Sequence, residues 1–373
     1  MVNRSQTAED RDRFLEIHSD AYRVLDQAIA NRAFPGCAFG ILAQDGISFS
    51  DALGRFTYDD NAPAVHANTI YDVASLTKVV STTATAMLLH QQLRLNLETR
   101  LGDLLPGFVI GRAGSDATQS RWARQVTLRH LLAHTSGLPG YVPLFRRASS
   151  PFELLRATLQ LPLEAEPGTR AEYSDHGFIL LGKALECLLG EPLAPWASRH
   201  IFAPLAMAST RFCPLLSQRA TIPPTEEDHT LRHRTIQGEV QDEHAFLLHG
   251  APGHAGLFSN APDLLRFAHA ILHPEQAALF DPATIALFSQ RQSPLGSSRA
   301  LGWDTPSTPS SSGSLFSTRS IGHLGYSGCS LWIDLEARIA IVLLTNRTWP
   351  DRLCDAIRSV RPAFHDAIRN ALS

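Results

Sequence analysis

The sequence predicts an α+β fold: an antiparallel sheet built from the N- and C-terminal segments, flanked by helices, with an all-helical lobe inserted between them. Three observations carry this. Strand signals occur near both ends of the 373 residues, helical periodicity fills the middle, and the C-terminal strands flank a short acidic turn. With 44% hydrophobic residues the chain can bury a sizeable core. It reads as one unit over 1–373, with a sheet lobe from 8–75 and 285–373 and a mainly helical lobe from 76–284.

Residues 8–32 have the spacing of an amphipathic helix, with Phe14, Ile17, Ala21, Val24, Leu25, Ala28 and Ile29 on one face and Pro35-Gly36 ending it. "CAFGILAQ" and "ISFSDALG" then surround Asp45-Gly46, a hairpin signal. A long helix is expected over 75–92. Further helices are expected at 127–134, 151–160, 176–189, 192–201 and 262–272. Residues 214–261 are rich in His, Gly, Pro and acidic groups and show little periodicity, so they read as an irregular loop region. A Ser/Pro-rich stretch at 305–314 precedes "GCSLWIDL" and "ARIAIVLLTNR", which look like adjacent antiparallel strands. A final helix over 350–371 presents Leu353, Ile357, Val360, Phe364 and Ile368, with Pro362 kinking or dividing it.

Composition narrows the function. A formal charge of −3 gives no reason to expect nucleic acid or an anionic membrane as partner. The five cysteines, Cys37, Cys187, Cys213, Cys329 and Cys354, are scattered and form no C-x-x-C pair, which fits a reducing compartment. The polar N-terminus lacks the apolar stretch of a signal peptide, and "IAIVLL" is too short to span a bilayer, so a cytoplasmic location without a transmembrane anchor is expected.

Only two of the 33 basic residues are lysines, Lys78 and Lys183. Lys78 follows Ser75 by three positions inside "VASLTKVVSTTATAMLL", so on a helix both side chains share a face. A serine hydroxyl is a weak nucleophile that must lose its proton, and a lysine in an apolar cleft has its pKa pushed down and can take part in that transfer. "EPGTRAEYSDHGFILLG" places Tyr173-Ser174-Asp175 before an apolar helix. There Tyr173 can act as a general base if nearby ammonium charge stabilises its phenolate, and Asp175 can accept from Lys78 or substrate. Asp175 also has a plainer reading, as N-cap of helix 176–189. "SIGHLGYSGCSLWID" adds His323-Leu324-Gly325, with glycines that let substrate approach the backbone. The Tyr326 amide, paired with that of Ser75, can form an oxyanion hole. His323 can supply positive or hydrogen-bonding character.

These residues resemble the serine β-lactamase and penicillin-binding-protein family, in its class C β-lactamase, D-alanyl-D-alanine carboxypeptidase and related esterase branch. Ser75-Leu76-Thr77-Lys78 matches the Ser-x-x-Lys signature, Tyr173-Ser174-Asp175 the Tyr-x-Asn signature with Asp for Asn, and His323-Leu324-Gly325 the Lys-Thr-Gly or His-Thr-Gly signature. Supporting stretches are "HLLAHTSGLPGY", "PGHAGLFSNAPDLLRF", "LGWD" and "LLTNR". The resemblance implies a β-lactamase/transpeptidase-like fold and an acyl-enzyme mechanism. Ser75 would be the nucleophile, Lys78 the proton-transfer partner and Tyr173 the general base and leaving-group acid. The amides of Ser75 and Tyr326 would be the oxyanion donors, with Asp175, His323 and Gly325 supporting. No cofactor or metal is implied. The charge of Asp175 and the weaker cation at His323 count against efficient lactam turnover, so small esters or amides lead as substrates. Lactam or D-alanyl-D-alanine hydrolysis, acyl transfer and an inactive binding scaffold stand as alternatives.

Two other chemistries fit less well. His229, His233, His244, His249 and His254, with Asp242 and Glu243 among them, match no H-E-x-x-H motif. No Gly-x-Ser-x-Gly elbow occurs, and "GYSGC" lacks its second glycine at the required place.

Overall fold

The computed structural model describes residues 17–44, 46, 48–112 and 116–372. Residues 8–16 of the expected N-terminal helix, including Phe14, and Asp45 and Ile47 of the hairpin lie outside the described residues. Helix α1 (Ser19–Ala30) leads into the hairpin of β1 (Gly36–Leu42) and β2 (Ser48–Gly54). After the helical insertion come β3 (Ser320–Leu324), β4 (Ser330–Asp334) and β5 (Ile339–Thr345). The antiparallel sheet has the order β2-β1-β5-β4-β3, so the first and last strands of the chain meet at its centre. Cys37 pairs with Thr345 and Leu42 with Ala340.

Both faces of this sheet are covered, which explains why "IAIVLLT" is a continuous apolar run rather than an alternating one. Ile341 and Leu343 pack with Phe39 and Trp332 beneath α1 and the C-terminal helix. Ala340, Val342 and Leu344 face the opposite way into the larger core shared with the helical lobe.

The C-terminal helix runs Ile357–Ala371, seven residues shorter at its start than expected. Asp351 Oδ1 accepts the Leu353 N–H at 2.8 Å, a local turn that competes with helix formation, and Leu353 is left 88% exposed. Pro362 lies inside the helix without dividing it. The expected helix over 75–92 is likewise three segments: a 3-10 turn Ala74–Leu76, a π-helical stretch Lys78–Thr83 and an α-helix Ala84–Gln91. Thr77 Oγ1 donates to Ala74 O at 2.6 Å and accepts from Leu257 N, while Thr82 Oγ1 donates to Gly253 O. These tethers to residues 253–257 accompany a widened turn of the kind common at functional sites.

The region 214–261 is ordered. It holds the two-stranded pair Pro224–Asp228 and Arg234–Gln237, a short helix Glu243–Leu247 and the strand Leu257–Ser259. Arg352 clamps it to the C-terminal segment through Glu226 at 2.6 Å and Glu243 at 2.9 Å. Its residues Gln241, Asp242, Glu243 and Ala255 become one wall of a cleft. No helix among the described residues is long and apolar enough to cross a membrane.

Candidate active site

The cleft has a volume of about 720 Å3, and Ser75, Tyr173, Asp175, His323, Gly325 and Tyr326 all line it. Lys78, fully buried, lies beneath Ser75. Seven residues singled out from three distant stretches of sequence thus meet at one place.

Ser75 sits in the tight turn that follows the strand Tyr71–Asp72. Its neighbour Ala74 has φ +48, a conformation that costs free energy for a residue with a Cβ. Asp72 stabilises it, accepting the Ala74 N–H on Oδ1 at 2.9 Å and the Gln241 N–H on Oδ2 at 2.8 Å. Burial pushes the Asp72 carboxyl up to about 6, against these two hydrogen bonds.

Every donor of Lys78 is used. Nζ donates to Ser75 Oγ at 2.9 Å, Asp175 Oδ1 at 2.6 Å and the His254 carbonyl at 3.1 Å. Burial pulls the ammonium pKa down, as expected from the apolar sequence around it. The Asp175 carboxylate and Tyr173 outweigh that pull and hold Lys78 above the ordinary lysine value. The expectation of a lowered pKa is therefore corrected, because the anion that reverses it comes from a helix 97 residues away. Asp175 is not the N-cap of that helix either. Ser174 is, with Oγ accepting the Gly177 N–H at 3.1 Å, which frees the Asp175 side chain for Lys78.

Tyr173 packs its ring 4.7 Å from that of His134 and 5.8 Å from that of His323, with Lys78 Nζ 4.9 Å from its centre. Its hydroxyl faces both Lys78 and Ser75. Burial raises the phenol pKa, Lys78 lowers it and Asp175 raises it again; the balance stays above the ordinary value. Tyr173 is therefore a neutral phenol at neutral pH. His134, from "HLLAHTSGLPGY", fixes this loop by accepting the Ser174 N–H on Nδ1 at 3.0 Å.

His323 differs from expectation as well. Its Nδ1–H donates to the Leu324 carbonyl at 2.8 Å, and burial with Lys78 and Arg299 drives its pKa well below the ordinary value. The ring is neutral and supplies no positive charge. A cation is provided instead by Arg299, whose guanidinium lies 5.2 Å over the Tyr173 ring and 3.7 Å from Asp304. Sequence reasoning missed Arg299; its one signal was its place just before "LGWD".

Gly325 has a steric reason to be glycine. A Cβ there would lie 2.5 Å from the Val73 carbonyl, two residues before Ser75. Among the described residues, neither the Ser75 nor the Tyr326 N–H donates to a backbone carbonyl. Ser327, the serine of "GYSGC", is buried and donates to Asp72 O at 2.7 Å.

The histidine-rich stretch contributes to the wall. His254 Nε2 lies 2.8 Å from Asp242 Oδ1, and His244 packs 5.3 Å from His176. Burial opposes ionisation of Asp242, yet His254 and His244 hold it well below the usual carboxylate range. Burial lowers His176 to about 4. No group of three or more His, Cys, Asp or Glu among the described residues has metal-holding geometry.

An end-to-end antiparallel sheet with an inserted helical lobe, and a serine bonded to a buried lysine between them, describe the serine hydrolases of the β-lactamase and penicillin-binding-protein type. A family model described as Beta-lactamase matches residues 22–363, and the chain belongs to that family. It is 30% identical over 365 residues to an N-acetylmuramyl-L-alanine amidase of Bacillus subtilis (strain 168), covering 87% of this chain and 80% of that one. Among solved structures it resembles EstCE1, a hydrolase with promiscuous acyltransferase activity, with a TM-score of 0.73 at 22% identity over 93% of this chain and 98% of that one. It also resembles unliganded simvastatin synthase (LovD) from Aspergillus terreus, with a TM-score of 0.71 at 20% identity over 95% and 98% of the two chains. At these identities the structural likeness establishes the fold.

Proposed function

We propose that this protein is a serine hydrolase acting through a covalent acyl-enzyme on small carboxylic esters or amides. The observation that carries the proposal is the contact of Lys78 Nζ with Ser75 Oγ at 2.9 Å, inside an ion pair with Asp175. Ser75 Oγ attacks the carbonyl carbon, and its proton passes into the Lys78–Tyr173–Asp175 network, where Asp175 is the anion. The carbonyl oxygen becomes an oxyanion that the Ser75 and Tyr326 amides stabilise. Neutral Tyr173 then protonates the departing alkoxide or amine, leaving Ser75 acylated. Water attacks the acyl-enzyme along the reverse proton path, so the network ends as it began.

The surroundings favour neutral acyl groups. The side chain in the lysine position of the third signature is neutral His323, and Arg299 is shared with Asp304. Asp175, Asp242, Glu243 and Glu172 line the cleft beside Arg299, Arg347, Arg352, Arg358 and Arg361, so no field of a single sign recruits a charged acyl group.

A fluorophosphonate probe should label the protein and fail to label Ser75→Ala. Short p-nitrophenyl esters should be hydrolysed faster than a chromogenic cephalosporin or a D-alanyl-D-alanine peptide. Strong peptide or cephalosporin turnover with negligible ester activity would overturn the substrate ranking, and unchanged turnover in Ser75→Ala would overturn the mechanism.

A further inference from the structure

Arg361, on the C-terminal helix Ile357–Ala371, reaches under the Gly325–Cys329 turn and is only 6% exposed. Its Nη2 donates to Gly325 O at 2.7 Å and Cys329 O at 2.9 Å, and its Nε donates to Gly328 O at 3.2 Å. Burial lowers its pKa to about 10, the Arg347 guanidinium opposes its charge further, and no carboxylate is among the groups acting on it. A buried guanidinium held by carbonyls alone is costly, so it calls for an explanation beyond chain packing.

The turn supplies one. Arg347 takes the next two carbonyls, with Nε donating to Tyr326 O at 2.8 Å and its backbone N–H to Ser327 O at 2.9 Å. All five carbonyls from Gly325 to Cys329 are thereby engaged by the two arginines. In a trans peptide the C=O and N–H of one plane point in opposite directions. Holding Gly325 O therefore sets the direction of the Tyr326 N–H, which is the amide without a backbone acceptor among the described residues. A guanidinium on that carbonyl also polarises the peptide and strengthens its N–H as a donor.

We infer that Arg361 is a positioning residue for the oxyanion hole: it grips the Gly325 carbonyl so that the Tyr326 N–H of the same peptide is aimed into the cleft. This rests on the acyl-enzyme reading of Ser75 and Tyr326 proposed above. Arg361 touches no reacting atom in this role and acts through the peptide alone.

The test compares wild type, Arg361→Met and Arg361→Lys for p-nitrophenyl acetate kcat and KM, and for inhibition by phenylboronic acid, which forms a tetrahedral adduct on a catalytic serine. Melting temperature is recorded alongside. In folded Arg361→Met, kcat should fall about 100-fold, the scale for losing one oxyanion donor. KM should stay within about threefold, because ground-state binding does not use the hole. Boronate affinity should fall in parallel with kcat, and Arg361→Lys should lie between the two. A folded Arg361→Met with kcat near wild type, or with kcat reduced and boronate affinity intact, overturns the inference. Should Arg361→Met fail to fold, Arg361→Lys decides: a single ammonium cannot reproduce the planar fork of Nε and Nη2 on these three carbonyls, so kcat equal to wild type overturns it. If wild type itself ignores the boronate and Ser75→Ala keeps its activity, the acyl-enzyme reading fails first. Failure confined to the Arg361 variants leaves that reading standing.

Discussion

Asp175 Oδ1 lies 2.6 Å from Lys78 Nζ, and this single ion pair decides the charge state of the centre. Without it, burial would leave Lys78 easier to deprotonate; with it, the ammonium persists above the ordinary lysine pKa. Asp175→Asn keeps an acceptor but removes the anion. It should cost about 2 kcal/mol at pH 7, the scale of a charge-assisted hydrogen bond. The sign with pH follows from linkage. In wild type the folded pKa of Lys78 is raised, so its stabilisation is complete below the unfolded lysine value of about 10.4 and is lost only as pH rises through the folded value. In the variant the folded pKa falls below the unfolded one, so the deficit should shrink as pH rises toward 10. Thermal melting of both proteins between neutral pH and pH 10 checks this. A deficit that stays constant would mean Lys78 is not the group responsible. The alkaline limb of kcat/KM should move to lower pH in the same variant.

Tyr173 sits between two neutral imidazoles and an ammonium, and its own phenol is neutral. In the proposed mechanism its contribution is an O–H that protonates the leaving group. Tyr173→Phe should reduce kcat by about 100- to 10,000-fold, as expected for loss of a general acid–base group, with little change in melting temperature. The loss should be smallest for p-nitrophenyl esters, whose leaving group needs no proton, and larger for alkyl esters. Equal losses across leaving groups would exclude the acid role.

His323→Lys would restore the lysine form of the third signature, yet it should not create an efficient lactamase. The position is buried, and Lys78 and Arg299 already act against positive charge there. An added ammonium should cost about 3 kcal/mol, the lower range for an uncompensated buried charge. Coupling it with Arg299→Ala should recover part of that loss. Melting temperatures of the two single variants and the double variant form a cycle that measures the repulsion directly. Strict additivity would show that the two positions do not share a field.

The sheet and the Ser75, Lys78, Tyr173 and His323 stretches were legible because each depends on local spacing. Apolar runs mark buried strands, and Ser-x-x-Lys reads the same in any helical turn. What could not be read depended on partners far along the chain. The raised pKa of Lys78 needs Asp175, the π-helical widening at Lys78–Thr83 accompanies tethers to residues 253–257, and the low pKa of His323 needs Lys78 and Arg299 beside it. Arg299 and Arg361 were invisible for another reason. Among 31 arginines (33 basic residues less two lysines), no single one stands out until its contacts are known. The histidines of 229–254 posed the opposite difficulty: their clustering in sequence drew attention, but His244 meets His176 from α-helix Asp175–Leu189 rather than its sequence neighbours His229 or His233.

Gly325 offers the sharpest steric test of how the third signature supports the first. Its missing Cβ faces the Val73 carbonyl at 2.5 Å and Cys329 Cβ at 3.1 Å. Val73 is a backbone neighbour that cannot rotate away, so Gly325→Ala must displace either the Tyr326 turn or the strand end that carries Ser75. Overpacking of this kind typically costs about 1–3 kcal/mol. Function should suffer more than stability, because a shift of a few tenths of an ångström separates the Ser75 and Tyr326 amides that we propose converge on one oxygen. The expected pattern is a folded protein whose fluorophosphonate labelling slows at least about tenfold. A folded Gly325→Ala that labels at the wild-type rate would show that this turn takes no part in activating Ser75.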